Sequence, residues 1–181
     1  MAPPQLASLL AQSVIRYHFN GHQRVSTMIE IVPATTASQI QTIRNLFREY
    51  EAFLQVDLCF QRFEEELASL PGKYAPPQGA LLLASAAGQA AGCVAMRPSA
   101  RGVCEMKRLY VRPPHLGRGV GKKLALRVIE RARTAGYASM RLDTLEKLRP
   151  ALSLYTGLGF QTCRPYYKNP LSGVIYMEMA L

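Results

Sequence analysis

The stretch Glu105–Gly121, EMKRLYVRPPHLGRGVG, constrains the fold more than any other part of this chain. A hydrophobic, strand-like run ends at two prolines, a loop with glycine at 117, 119 and 121 follows, and the loop opens directly into a basic amphipathic helix. Strand, glycine loop and helix N-terminus together form a phosphate-binding arrangement. The glycines let the backbone approach a ligand, several N–H groups converge, and the helix dipole favours negative charge. The expectation is a chain that holds a phosphorylated cofactor at a strand-to-helix turn.

The charge distribution agrees. The net charge is +10, and residues 101–141 alone carry eleven Lys or Arg against two acids, Glu105 and Glu130. Such a segment seeks a polyanion, either a nucleic acid or a small cofactor with several phosphates. A nucleic-acid module would interleave aromatics with the basic residues. Only Tyr110 and Tyr137 lie there, which argues against it. Arg127, Arg131 and Arg133 read as a solvated helix face.

With 181 residues the chain is long enough for one domain with a real core. No apolar run approaches a membrane span, and MAPPQLASLLAQSVIRYHF lacks the basic start and cleavage site of a signal peptide. Four cysteines without a CxxC pair, and His18, His22 and His115 without ligand spacing, point to reduced, mostly buried thiols, no metal and a cytoplasmic setting.

Residues 1–27 read as an N-terminal extension with a short apolar stripe, and 28–181 as the compact domain. MIEIV is a strand. Ser38 with Gln41 reads as a capping box for a helix through Leu54, and a second helix runs from Leu58 to Leu70. ALLLASAAGQAAGCVAM makes two strands, and Val103–Val111 a third. Helix 119–135, strand ASMRLDT, helix 146–158, a short strand and VIYMEMAL complete the order β, α, α, β, β, β, α, β, α, β, β. Strands flanking two crossover helices give a mixed sheet with helices on both faces.

Two common phosphate templates fail. A P-loop needs glycine at 116 and a hydroxyl at 123, but the chain has Leu116 and Lys123. A dinucleotide fingerprint starting at Gly117 needs glycine at 122, which is Lys122; Asp143 is a faint echo of that fold's ribose-binding acid. LYVRPPHLGRGVGKKL instead resembles motif A of the GNAT superfamily of acetyl-CoA-dependent N-acetyltransferases, with Gly119 and Gly121 on its last fixed positions. ALSLYTGLGF (151–160) resembles the second signature, A-x-x-L-Y-x-x-x-G-F, at full spacing. Leu116 replaces the motif's Gln or Arg, and Leu148 the Asn often found ahead of the second signature.

The resemblance implies a small, single-domain, bacterial-type member. Its α/β (α+β) fold would be a mostly antiparallel sheet of about seven strands, splayed between the fourth and fifth. It implies acetyl-CoA as co-substrate, bonded along Leu109, Tyr110 and Val111. The pyrophosphate would lie on the amides of Leu116, Gly117, Arg118, Gly119, Val120, Gly121 and Lys122, and the side chain of Arg112, Arg118, Lys122 or Lys123 would reach the 3′-phosphate. The acceptor would be the primary amine of a small molecule or peptide, attacked directly in a ternary complex. Tyr155 is implied as the acid toward the sulfur.

Glu105, a carboxylate in an apolar and basic strand, is the candidate base; its alternative is an ion pair with Lys107 or Arg141. Asp143 and Thr144 either orient the substrate or cap the helix that follows, and Tyr166, Tyr167 and Asn169 either line the acceptor pocket or form a solvated loop. Glu64–Glu66 read as a solvated face of a helix that could border the acceptor site, and His115 reads as an exposed loop residue. A homodimer is the fold-level expectation, with no membrane or nucleic-acid partner. A CoA-sensing protein without turnover is the alternative.

Overall fold

The computed structural model describes residues 28–181, so the reading of residues 1–27 as an extension lies outside the described residues. Seven strands form one sheet in the order β1-β2-β3-β4-β5-β7-β6. The strands are β1 (Ile29–Pro33), β2 (Ala80–Ala86), β3 (Gln89–Ala100), β4 (Val103–Val111), β5 (Ser139–Leu145), β6 (Gln161–Thr162) and β7 (Val174–Ala180). The helices are α1 (Ala37–Leu54), α2 (Phe63–Ala68), α3 (Val120–Thr134) and α4 (Arg149–Gly157). Every neighbouring pair is antiparallel except β4–β5. A parallel pair requires a crossover, and α3 supplies it. This is the mixed sheet with helices on both faces expected from the sequence.

Strand alternation divides the core. Leu82, Ala84, Val94 and Met96 pack with Leu124, Val128, Met140, Leu142, Tyr155 and Phe160 under α3 and α4. Leu81, Leu83, Cys93, Ala95 and Tyr110 face the other way, against Ile43, Leu46, Phe47, Phe63 and Leu67 of α1 and α2. Helix α3 buries Val120, Leu124, Ala125, Val128, Ile129 and Ala132 at helical spacing and leaves Lys122, Lys123, Arg127 and Arg133 exposed. Among the described residues no helix is long and apolar enough to cross a membrane.

Local chemistry shifted several boundaries. The capping box is Thr36 with Gln39, not Ser38 with Gln41: Gln39 N donates to Thr36 Oγ1 at 3.2 Å, and Thr36 N to Gln39 Oε1 at 3.0 Å. The helix starts early enough that Ser38 already sits in its first turn. The second helix is broken into a 3-10 turn (Cys59–Gln61) and α2, because Arg62 between them adopts a left-handed φ of 58°. Helix α4 starts at Arg149, later than the apolar stripe suggested, with Pro150 in the first turn, where its missing N–H costs nothing. Of the four thiols, Cys93 and Cys104 are buried, Cys163 is half-buried, and Cys59 is exposed.

Candidate active site

The site exists because β4 and β5 pair over only three positions, Val103–Glu105 with Ser139–Arg141. Past these rungs β4 runs on to Val111 and β5 to Leu145, and a cavity of about 530 Å³ opens between Met106–Val111 and Leu142–Leu145. The cleft edge of β4 therefore has no strand partner, and alternate main-chain groups of this stretch face the opening. On its other edge β4 is bulged: Ala95 faces Lys107 but Cys93 faces Tyr110, so the ladder slips by a residue. Arg108 in the bulge takes a φ of 56°, a conformation L-residues rarely adopt. Gly92 allows the bulge, since a Cβ there would lie 2.4 Å from the Tyr110 carbonyl oxygen.

At one end the cavity is lined by Leu109, Tyr110 and Val111 of β4, by Leu116, Gly117 and Gly119 of the loop, and by Val120 and Gly121 of α3. Gly119 caps α3 in the left-handed region with φ 76°, and no side chain caps the helix. The amides of Val120, Gly121 and Lys122 precede the bond from Lys123 N to Gly119 O, so they are the orphan donors of a helix start. Arg118 and Lys122 are exposed and do not line the cavity. Arg112 is not free for a phosphate: its Nε and Nη2 donate to Glu49 at 2.9 and 2.7 Å, and its Nη1 to Ala90 O at 3.0 Å. His115, read as an exposed loop residue, is half-buried against the cavity, and its Nδ1 is buried without a partner.

Tyr155 of α4 lines the same cavity. Its ring is buried edge-on against Phe160 at 5.9 Å, and its hydroxyl has no hydrogen-bond partner among the described residues. Burial, followed by the neighbouring Tyr50 and then the charge on Asp143, pushes the phenol well above its ordinary range. It therefore stays protonated at neutral pH.

The other end of the cavity holds charges in pairs. Lys107 Nζ donates to Asp143 Oδ1 at 2.8 Å and lies 3.6 Å from Glu105 Oε1. Asp143 Oδ2 accepts from the Tyr167 hydroxyl at 2.9 Å and from Asn169 Nδ2 at 3.4 Å. Burial raises the Asp143 carboxyl, but the Lys107 ammonium and these hydrogen bonds outweigh it and leave it below the usual carboxylate range. Arg108 donates through Nε and Nη2 to both oxygens of Glu66, at 2.9 and 2.7 Å, and lies over the Phe63 ring at 5.1 Å. Tyr74 also donates to Glu66, so this acid, expected on a solvated face, is largely buried and paired. Glu64 and Glu65 are exposed as expected.

Glu105 is 3% exposed and does not line the cavity. Its Oε2 accepts from Arg97 Nε at 2.9 Å and its Oε1 from the Tyr166 hydroxyl at 3.0 Å. The Lys107 contact was one expected alternative. Arg141, the other, pairs with Glu178 instead, and Arg97 enters because β3 places it opposite Glu105. Sequence reasoning missed Lys107, Arg108, Tyr50 and Gln61 as lining residues. Arg108 sits in the bulge, which defeats strand alternation as a guide to which side chains face the cleft, and Lys107 is the last regular rung before it.

A profile of the acetyltransferase (GNAT) family matches residues 40–160. An uncharacterised N-acetyltransferase of Schizosaccharomyces pombe is 42% identical over 155 residues, covering 84% of this chain and 95% of that protein. An acyl-CoA N-acyltransferase structure from Klebsiella pneumoniae superposes with a TM-score of 0.64 at 29% identity, covering 87% of this chain and 99% of its own. The acetyltransferase YncA of Salmonella typhimurium, solved with its cofactor acetyl-CoA, shares the fold at 20% identity and a TM-score of 0.64, covering 84% of this chain and 93% of its own.

Proposed function

From the premise that this chain belongs to the GNAT family of acetyltransferases, we propose that it moves an acetyl group from acetyl-CoA to a primary amine by direct attack in a ternary complex. The observation that carries this is the parting of β4 from β5 above the uncapped start of α3. An extended pantetheine arm finds unpaired main-chain groups along Leu109–Val111, and a diphosphate finds the orphan amides of Val120–Lys122. Arg118, Lys122 and Lys123, exposed beside them, suit the 3′-phosphate.

The chain's own groups then divide the proton work. An acceptor ammonium, with a pKa of about 10 if lysine-like, loses one proton before attack. Asp143, on the cavity wall and held ionised by Lys107, orients the ammonium, which loses that proton to solvent. Glu105 stands behind Lys107 and Tyr166, and its carboxylate fixes both. Main-chain N–H groups on the open edge of β4 meet the negative charge that develops on the acetyl oxygen. As the N–C bond forms and the C–S bond breaks, Tyr155 donates its proton to the sulfur, and the second amine proton restores the phenol.

Thiol release from acetyl-CoA over a panel of amines, with calorimetry of CoA binding alongside, tests this reading. Acceptor-dependent release with CoA bound at the cleft is the expected result. Binding without release from any amine would leave a CoA-sensing protein.

A further inference from the structure

The end of the cavity away from the glycine loop is built around a guanidinium with unused donors. Arg108 spends Nε and one proton of Nη2 on Glu66. Of its five donors, both protons of Nη1 and the second of Nη2 bond to nothing among the described residues. The side chain is 3% exposed, yet Nη1 is not sealed in protein, and Arg108 lines the cavity. Glu66 clamps one edge of the fork and the Phe63 ring supports its face, so the free edge is held rigid. A strained left-handed backbone in the bulge of β4 carries the side chain there. An edge of two parallel N–H donors matches a carboxylate.

Across the cleft, Asp143 on β5 uses Oδ1 for Lys107 and Oδ2 for Tyr167 and Asn169. Two oxygens offer about four acceptor sites, so at least one remains for an ammonium. The two charged groups lie within electrostatic reach of each other. The resident charges cancel in three pairs, Arg108 with Glu66, Lys107 with Asp143 and Arg97 with Glu105. A guest with one cationic and one anionic group preserves that balance, whereas a simple ammonium does not. The remaining wall is mostly apolar, from Tyr50, Phe53, Val56, Leu58 and Leu171, with Gln61 as a polar member.

We propose that the acceptor is a free α-amino acid with an apolar side chain, its carboxylate on the open edge of Arg108, its amine beside Asp143 and its side chain against the apolar wall. This rests on the acetyltransferase reading and names the acceptor for the same site. The amino nitrogen bonds to the acetyl carbon as the carbon–sulfur bond breaks. Of the two protons lost by the ammonium, one ends on the CoA sulfur and one in solvent. The products are an N-acetylamino acid and free CoA.

The test is thiol release with matched pairs of acceptors, leucine against isopentylamine and phenylalanine against phenethylamine, which differ only in the carboxylate. A charge-assisted pair of hydrogen bonds corresponds to roughly tenfold to a hundredfold. The expected result is a kcat/KM larger for the amino acid by about that factor in each pair, arising mainly in KM. Arg108→Gln strands Glu66, so the variant to compare is the double substitution Glu66→Gln with Arg108→Gln, whose fold is checked by its thermal transition. In it the ratio of amino acid to amine should fall about tenfold.

Equal or faster turnover of the amines, or no amino acid acetylated at all, overturns the proposal. Calorimetry with acetyl-CoA separates the two levels: binding with turnover of amines alone removes only the amino-acid acceptor, while absent binding removes the acetyltransferase reading too.

Discussion

At the scale of single side chains, the proposed chemistry rests on Tyr155 and Asp143, both on the cavity wall. The Tyr155 hydroxyl bonds to no described residue, so its removal costs little packing and tests its role cleanly. Tyr155→Phe should lower kcat by about 100-fold, the low end for loss of a general acid, while calorimetric CoA affinity and the thermal midpoint hardly change. Asp143 pairs with a buried lysine, and its native pKa lies below the unfolded value. A depressed carboxylate stabilises the fold fully above its unfolded pKa, about 3.9, and that stability is lost as pH falls through the lower native value. The urea midpoint should therefore drop below about pH 4. Asp143→Asn should flatten that drop and cost about 3 kcal/mol at neutral pH by leaving Lys107 short of a counter-charge. Tyr155 was legible in the sequence because the second signature fixes its spacing. Arg108 was not, because its importance depends on Glu66, 42 positions away, and on a bulge that no local pattern announces.

At the scale of elements, β3 and β4 depend on one small residue. Gly92→Ala would place a methyl 2.4 Å from Tyr110 O and 3.2 Å from Val111 Cα, both backbone atoms that cannot swing aside. It should destabilise the protein by about 1–3 kcal/mol, as overpacking does, and weaken CoA binding by displacing the cleft edge of β4; urea denaturation and calorimetry check both. Gly119→Ala differs, since its Cβ would meet nothing, and only the left-handed φ of 76° opposes it. It should cost about 1–2 kcal/mol of strain. Strand β4 and helix α3 were readable from sequence because apolar periodicity and a glycine loop mark them. The break before α2 was hidden, because an arginine takes the left-handed turn that a glycine would have advertised. The cap of α1 was misplaced because Thr36 and Ser38 are equally able to cap, and only the helix start decides between them.

The whole molecule is a sheet in two parts, β1–β4 and β5–β7, whose strands join over three paired positions. A ligand bonded to the open edge of β4 should protect that edge. In hydrogen exchange, CoA is expected to slow the amides of Met106–Val111 and of the first turn of α3, and to leave the β1–β2 ladder unchanged. At a ligand concentration of 100 Kd the fold should gain about 2.7 kcal/mol, seen as a rise in the thermal midpoint. The strand seam between the two parts is short, though one core cluster spans both, so a co-substrate bound as proposed would act as a second tie along the open edge as well as a donor. On that reading, release of spent CoA would bare the β4 edge again, so a protease should nick this seam faster in protein starved of acetyl-CoA than in protein saturated with it.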